Sequence, residues 1–370
     1  MPPGMASAHA LIDMAHAFRL ALILLLVVLT LSVRAEESAL FIALPPGAIP
    51  QDVSSSGTIV GALLSNGVSA GGFYWMPTTG VVYVGGTAAV AISRNGETIT
   101  GTAPDSRGAG QAALWQRAAE WRLLGGIAAN AVPCDSSLSS TFDTSDDGQV
   151  VVGLAWNGCA VARAFRWQES TGMVDLGTTV AGRSSRANGV SGDGKVVVGW
   201  QDAPLRQAAR WVDGRQSLFT GPTGIVGEAH ATNRDGSIIV GQTCGFASAA
   251  DPTANQRAWT WTASDGVRCL EPPRFRPERN FIGAALAMSE DGRVIGGTQS
   301  FGLEAESVLW LDRQPFYLKD YLRSHGAANA FDRWVNTGFV TGMSRDGRVL
   351  VGWGAGPTDF MGYIVILGPN

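Results

Sequence analysis

One phrase is written seven times along the 370 residues: a short turn ending in glycine, then a β-branched run that stops at a second glycine. The copies are SSSGTIVG ending at Gly61, SRNGETITG at Gly101, SDDGQVVVG at Gly153 and SGDGKVVVG at Gly199, then NRDGSIIVG at Gly241, SEDGRVIGG at Gly297 and SRDGRVLVG at Gly352. Successive copies lie between 40 residues (Gly61 to Gly101) and 56 residues (Gly241 to Gly297) apart. That period belongs to propeller blades, in which each unit buries its apolar face only against its neighbours.

The fourth copy shows what one unit contains. A small-residue strand around Gly189 and Val190 enters the turn Ser191-Gly192-Asp193-Gly194, where glycine accepts a positive φ. Lys195 to Gly199 is a β-branched strand too short for a helix; Gln207 to Val212 and Gln216 to Phe219 follow. Four short strands in up-and-down order make a blade. The expected fold is therefore all-β: a seven-bladed β-propeller of four-stranded antiparallel blades. The third strand carries Trp in six copies, Trp75, Trp115, Trp167, Trp211, Trp261 and Trp310, placed to fill the space between blades. The innermost strands favour Ala and Gly before the turn, but Asp52 and Asp143 break that pattern and stand where a central channel would run. A structural role for both is expected, because an Asp near a turn readily binds local backbone.

The seventh repeat runs out after Gly362 to Leu367, its third strand, while Ala39 to Leu44 is a strand without a blade. The amino-terminal strand is expected to complete blade seven and remove two exposed sheet edges. Phe316 to His325 has helix-like apolar spacing and is expected to pack as a short helix against the ring.

Residues 1–35 read as a signal peptide. Arg19 precedes the apolar run Leu20 to Val33, and Val33-Arg34-Ala35 offers a cleavage site. Fourteen residues at about 1.5 Å each are too short for a bilayer core of about 30 Å, so stable membrane insertion after cleavage is not expected. The mature propeller would span 36–370. Export makes an even number of cysteines read as disulfides. Three pairings of Cys134, Cys159, Cys244 and Cys269 are formally possible. Cys134 with Cys159 and Cys244 with Cys269 are each 25 positions apart, and both pairs fall at the face where second and fourth strands exit. Free thiols are the alternative; zinc is disfavoured because no closely spaced Cys pair exists.

The run Ala164-Phe165-Arg166-Trp167, then Gly172 to Gly177, then a turn before VVVG, resembles the HAF-type extracellular repeat of bacterial proteins, and so do Leu318-Lys319-Asp320-Tyr321-Leu322, Trp334 and Gly362-Tyr363. The family's His-Ala-Phe triplet is not kept: Arg163, Gln207 or Arg257 stands at the first position, and the only literal copy is His16-Ala17-Phe18 in the signal segment. The resemblance covers nearly all of residues 50–367. It implies export and a propeller-like repeat fold, and no catalytic residues. Some relatives carry a sorting tail or translocator barrel after the repeats; neither is expected here.

A net charge of -4 gives no broad basic surface, so nucleic acid is not an expected partner. The mature chain has two histidines, His230 and His325, in different repeats, and neither a zinc pattern nor a nucleophile elbow, P-loop or dinucleotide fingerprint. No metal and no cofactor are expected. The weak catalytic candidates are Glu228 and His230 with Asp52 or Asp143 as an acid/base group. Trp156 and Phe246, in the long segments after second strands, are weak candidates for stacking on sugars. The expected function is an exported, monomeric, non-enzymatic propeller that binds an extracellular glycan or protein through its long-loop face. The alternative is a glycan hydrolase or lyase on the same scaffold.

Overall fold

A computed structural model describes residues 38–368 apart from 117–119, 129–130, 203–204, 223, 245–255 and 275–280. The repeated turn has one chemistry throughout. In blade three the Ser145 hydroxyl donates to Asp147 Oδ1 (2.6 Å) and accepts the Val150 amide (2.9 Å), while the Gln149 amide donates to Asp147. Ser191, Ser289 and Ser344 repeat this with Asp193, Asp291 and Asp346. Asn233 replaces Ser in blade five because its Oδ1 supplies the same acceptor, to the Ile238 amide at 3.0 Å. The glycine that ends each turn has φ between 68° and 79°, from Gly292 to Gly57, which a side chain would oppose.

Each turn joins an inner strand to a second strand, and the inner strands gather round the axis: Ala48–Val53, Ala88–Ile92, Ser139–Thr144, Ser185–Val190, Ala229–Thr232, Ile282–Met288 and Asn336–Met343. Every one of them carries a β-bulge three residues before the turn Ser or Asn, so that Gln51, Val90, Phe142, Asn188, His230, Leu286 and Thr341 have no partner across the ladder. The bulge brings the inner backbone over the second strand. A Cβ on Gly61, Gly101, Gly153, Gly199, Gly241, Gly297 or Gly352 would collide with the inner-strand carbonyl of Ile49, Ala88, Ser140, Arg186, Glu228, Ala284 or Phe339 respectively. This is the reason the second glycine of the phrase recurs.

Seven four-stranded antiparallel sheets form the ring, and apolar clusters lie between neighbours. One joins Val150, Val152 and Ala164 of blade three to Ala187, Val197, Ala209 and Trp211 of blade four. The Trp211 and Trp310 indole N–H groups reach back to carbonyls following the preceding blade, Gly177 (3.3 Å) and Glu271 (2.8 Å). In blade seven Val365 holds the position that Trp occupies elsewhere, opposite Leu350.

Blade seven is closed as expected. Leu40–Pro46 pairs antiparallel with Phe360–Ile366, setting Phe41 opposite Val365 and Ala43 opposite Tyr363. Phe41 packs within 4.6 Å of the Phe331 ring, and the Ala39 amide donates to His325 O at 2.7 Å. The helix is shorter than its apolar pattern suggested: α1 is Leu318–Ser324, because Phe316 and Tyr317 belong to the outer strand of blade six opposite Leu309 and Val308. Leu318 and Leu322 seal α1 against the ring.

The two cysteine pairs meet as their spacing suggested, Cys134 with Cys159 and Cys244 with Cys269, at Cα separations of 4.5 and 5.5 Å. Cys269 is the last residue of its fourth strand rather than beyond it. Both bridges sit on the face opposite the Ser/Asp turns. The signal segment lies outside the described residues.

Removing residues 36–44 strips blade seven of its outer strand and exposes Phe331 and Tyr363. Thermal unfolding should move down by well over 5 °C, since losing two or three apolar contacts costs several kcal/mol in a chain of this size. An unchanged transition would show that the strand does not close the ring.

Candidate functional site

The bulges direct the chemistry to the axis. Gln51, Val90, Phe142, Asn188, His230, Leu286 and Thr341 all line a cavity of about 350 Å³ at the centre of the ring, and all are half-buried. The sequence singled out only His230 of these seven. The signal that could have found the rest was positional: each is the third residue before the turn Ser or Asn.

The turn end of this cavity is crossed by charge. The residue after the turn Ser or Asn is Arg94, Asp146, Arg234, Glu290 or Arg345 in blades two, three, five, six and seven. Arg345 donates to Asp146 and to Glu290. Asp146 also faces the guanidiniums of Arg234 (3.5 Å) and Arg94 (3.8 Å). A pair between blades seven and three must span the axis, so these side chains plug the channel. Gly192 leaves room beside them, since a Cβ there would push against the ends of the Arg345 and Asp146 side chains. Arg94 adds Nη1 bonds to Val53 O (3.0 Å) and Met343 O (3.2 Å), tying three blades together. The alternation of sign at this one repeat position is readable in the sequence.

Asp52 and Asp143 do line the cavity, as their position in the inner strands suggested. Each bridges to the next blade. Asp52 accepts the Val53 amide (2.7 Å) and the Ile92 amide of blade two (3.0 Å); Asp143 accepts Thr144 (2.8 Å) and Val190 of blade four (2.9 Å). Where the other blades have Ala or Gly, two blades have a carboxylate stitching the seam. Burial raises Asp52 above its ordinary pKa despite Arg94 and the two amides. Burial and the nearby Asp52 charge push Asp143 up to about 7.

Glu228 and His230 also come together, in the wall formed by blades four and five. Glu228 accepts Arg186 (2.6 Å) and Arg206 (2.7 Å), and Asn188 binds both Arg186 Nε (2.6 Å) and Ala229 O (2.8 Å). Both guanidiniums approach the Trp200 ring, Arg186 at 5.3 Å and Arg206 at 3.9 Å. Burial alone would raise Glu228, but His230 and the two arginines outweigh it and hold its pKa low. Burial lowers His230 against the pull of Glu228 and of Gln242, whose Oε1 lies 3.1 Å from Nε2, so the imidazole is neutral at pH 7. All three carboxylates thus have both oxygens committed to amides or guanidiniums. None is left free as a general base in this arrangement.

Trp156 is not a loop residue: it ends the second strand of blade three, opposite Ala162, and is half-buried. Phe246 lies outside the described residues. Among the described residues the one cluster of metal-ligand types is Cys134, Asp135 and Cys159, whose sulfurs are spent on a disulfide.

No protein-family model matches the chain, and no curated protein matches it in sequence. Solved structures do resemble it. The β-propeller domain of the Trilobed protease from Pyrococcus furiosus, described as having an open velcro topology, superposes with a TM-score of 0.54 at 10% identity, covering 88% of this chain and 95% of that one. A prolyl endopeptidase matches at TM-score 0.50 and 10% identity over 76% of this chain and 42% of its own. TolB from Acinetobacter baumannii matches at TM-score 0.42 and 13% identity over 76% of this chain. The chain spans 63% of that TolB and less than half of the endopeptidase. At these identities the likeness to the protease and endopeptidase propellers establishes the propeller fold.

Asp143 makes the ring sensitive to pH. Its folded pKa is raised above the ordinary value near 3.8, so the folded state holds a proton that the unfolded chain has released. The stability this contributes is complete below pH 4 and lost as pH rises through about 7. His230 acts in the opposite sense, because its folded pKa is lowered. Comparing wild type with Asp143→Asn in urea unfolding at pH 5, 6, 7 and 8 separates the two: the variant should gain stability relative to wild type as pH rises across this window. A constant difference, or a ¹³C titration of the Asp143 carboxyl near 4, would contradict the assignment.

Proposed function

We propose that the protein is an exported, non-enzymatic β-propeller that binds an extracellular or cell-envelope ligand, a glycan or a protein, through the face opposite the Ser/Asp turns. One observation carries this reading. Thirteen large apolar side chains are exposed among the described residues, and eight of them stand on that loop face: Val68, Val132, Val180, Leu205, Ile282, Leu303, Val335 and Phe360. The other five, Leu40, Tyr83, Leu123, Val174 and Phe316, lie on outer strands, and none lies in the Ser/Asp turns. Leu303 is fully exposed and Val335 is 70% exposed. Their placement on the face of the variable loops, rather than on the turn face, favours that face as the interaction surface.

Both disulfides brace the same face, and they support export because such bridges persist in oxidising compartments. The apolar run at 20–33 supports it as well. No helix among the described residues is long and apolar enough to cross a membrane. The commitment of Asp52, Asp143 and Glu228 to internal partners favours binding over glycan hydrolysis, which needs a free pair of carboxyls.

Glycan and peptide arrays probed with the purified, oxidised protein should show a ligand, and Leu303→Asp with Val335→Asp should weaken it at least tenfold without altering thermal unfolding. Binding that is indifferent to these substitutions, or turnover of a glycan, would contradict the reading.

A further inference from the structure

The axial cavity is a second site, separate from the loop face. Its occupant is constrained by what the lining has left to give. Four arginines, Arg94, Arg186, Arg234 and Arg345, and four carboxyls, Asp52, Asp143, Asp146 and Glu290, line it. Each is also spent within the protein. Arg345 joins Asp146 and Glu290, Arg94 and Arg234 approach Asp146, Arg186 pairs with Glu228, and Asp52 and Asp143 hold backbone amides. A charged ligand would have to break one of these pairs, leaving a partner unsatisfied.

The groups that remain uncommitted are neutral. The Gln51 side-chain amide and His230 Nδ1 have no hydrogen-bond partner among the described residues, and Thr341 uses its hydroxyl proton on Pro50 O at 2.9 Å while keeping acceptor capacity. Blades one, four, five and seven give polar bulge residues; blades two, three and six give Val90, Phe142 and Leu286. Round the ring the lining therefore alternates: polar at blades seven and one and at four and five, apolar at blades two and three, where Phe142 supplies an aromatic ring, and again at blade six, across the axis from them. Its volume of about 350 Å³ lies at the small end of ligand pockets. Arg345 and its partners cross the turn end. On the loop side the next residue level of the inner strands is small in three blades, at Ala88, Ser140 and Ala284, and larger in four, at Ile49, Arg186, Glu228 and Phe339.

We propose that this axial cavity binds a single neutral sugar residue, with Gln51 and His230 taking its hydroxyls, Phe142 and Val90 lying against one of its C–H faces and Leu286 against the other. A pyranose presents this combination of a hydroxyl rim and C–H faces, whereas an ion has no uncommitted counter-charge here. The site stands independently of the loop-face reading, since it uses none of the exposed residues of that surface.

Saturation-transfer NMR on the full mature chain tests it, using the methyl glycosides of glucose, galactose and N-acetylglucosamine against glucuronate and glucosamine. At least one neutral glycoside should bind at millimolar concentration or better. Gln51→Ala should weaken it by about tenfold, and Leu286→Trp, which fills the cavity, should abolish it, while Leu303→Asp with Val335→Asp leaves it unchanged. Thermal unfolding of each variant separates a lost site from a lost fold, and Gln51→Ala removes a half-exposed side chain that holds nothing else. Failure of every neutral glycoside, tighter binding of glucuronate or glucosamine, or binding that survives both channel substitutions would overturn the proposal. Loss of binding only in the Leu303→Asp, Val335→Asp variant would overturn it too, by placing the sugar on the loop face.

Discussion

Seven close approaches of an inner-strand carbonyl to a glycine hold this ring in its geometry. Each is made possible by a bulge, which has two consequences in every blade and a third in blades two and four. It displaces the inner backbone onto the glycine that ends the second strand. It leaves one residue without a ladder partner and delivers it to the axis. It brings the amide just before the turn within reach of the preceding blade, where Asp52 and Asp143 capture it at Ile92 and Val190. The recurring phrase in the sequence is the record of this backbone contact. The glycines are conserved between repeats for lack of space, and the Ser/Asp turns for their hydrogen bonds.

The axis then separates two kinds of polar group. Charged side chains are assembled into closed sets, Arg345 with Asp146 and Glu290 at the turn end and Arg186 with Glu228 and Arg206 in the wall. Such sets cost desolvation and repay it only when every member is paired, which here they are. The neutral bulge residues are left with free hydrogen-bonding capacity. A ring built this way is rigid at the turn face and offers its variable chemistry to the axis and the loop face, where function on a propeller can change without disturbing the seams between blades.

Much of the architecture was legible in the chain. Period, strand order and the missing strand of blade seven follow from local rules, since turn residues and β-branched runs act over a few positions. The cysteine pairs were legible because 25-residue spacing coincided with a shared face. The site was less so. Asp52 and Asp143 stood out as exceptions in a row of small residues, but their bonds to Ile92 and Val190 cross between blades and depend on bulges that hydrophobic pattern does not mark. The arginine and acidic residues after the turn Ser or Asn carry no local signal of their partners; only the radius of the ring brings Arg345 of blade seven to Asp146 of blade three. Trp156 was misplaced because strand and loop share residues where Val151–Trp156 ends.

The contact between bulge and glycine is tested most directly at Gly199, where an added Cβ would meet only backbone, the Arg186 carbonyl and the Ala187 Cα, with no flexible side chain to move aside. Urea unfolding of Gly199→Ala should show a loss of about 3 kcal/mol or more, the cost of forcing a methyl group into a packed site with no room to relax. Gly110→Ala, whose Cβ would lie 3.3 Å from the Thr102 side-chain methyl, a contact a few tenths of an ångström of side-chain movement relieves, and 3.6 Å from Ser136 O, should fall within about 1 kcal/mol of wild type. Equal stability of Gly199→Ala and wild type would contradict the account, because the inner strands would then not be held where the bulges place them.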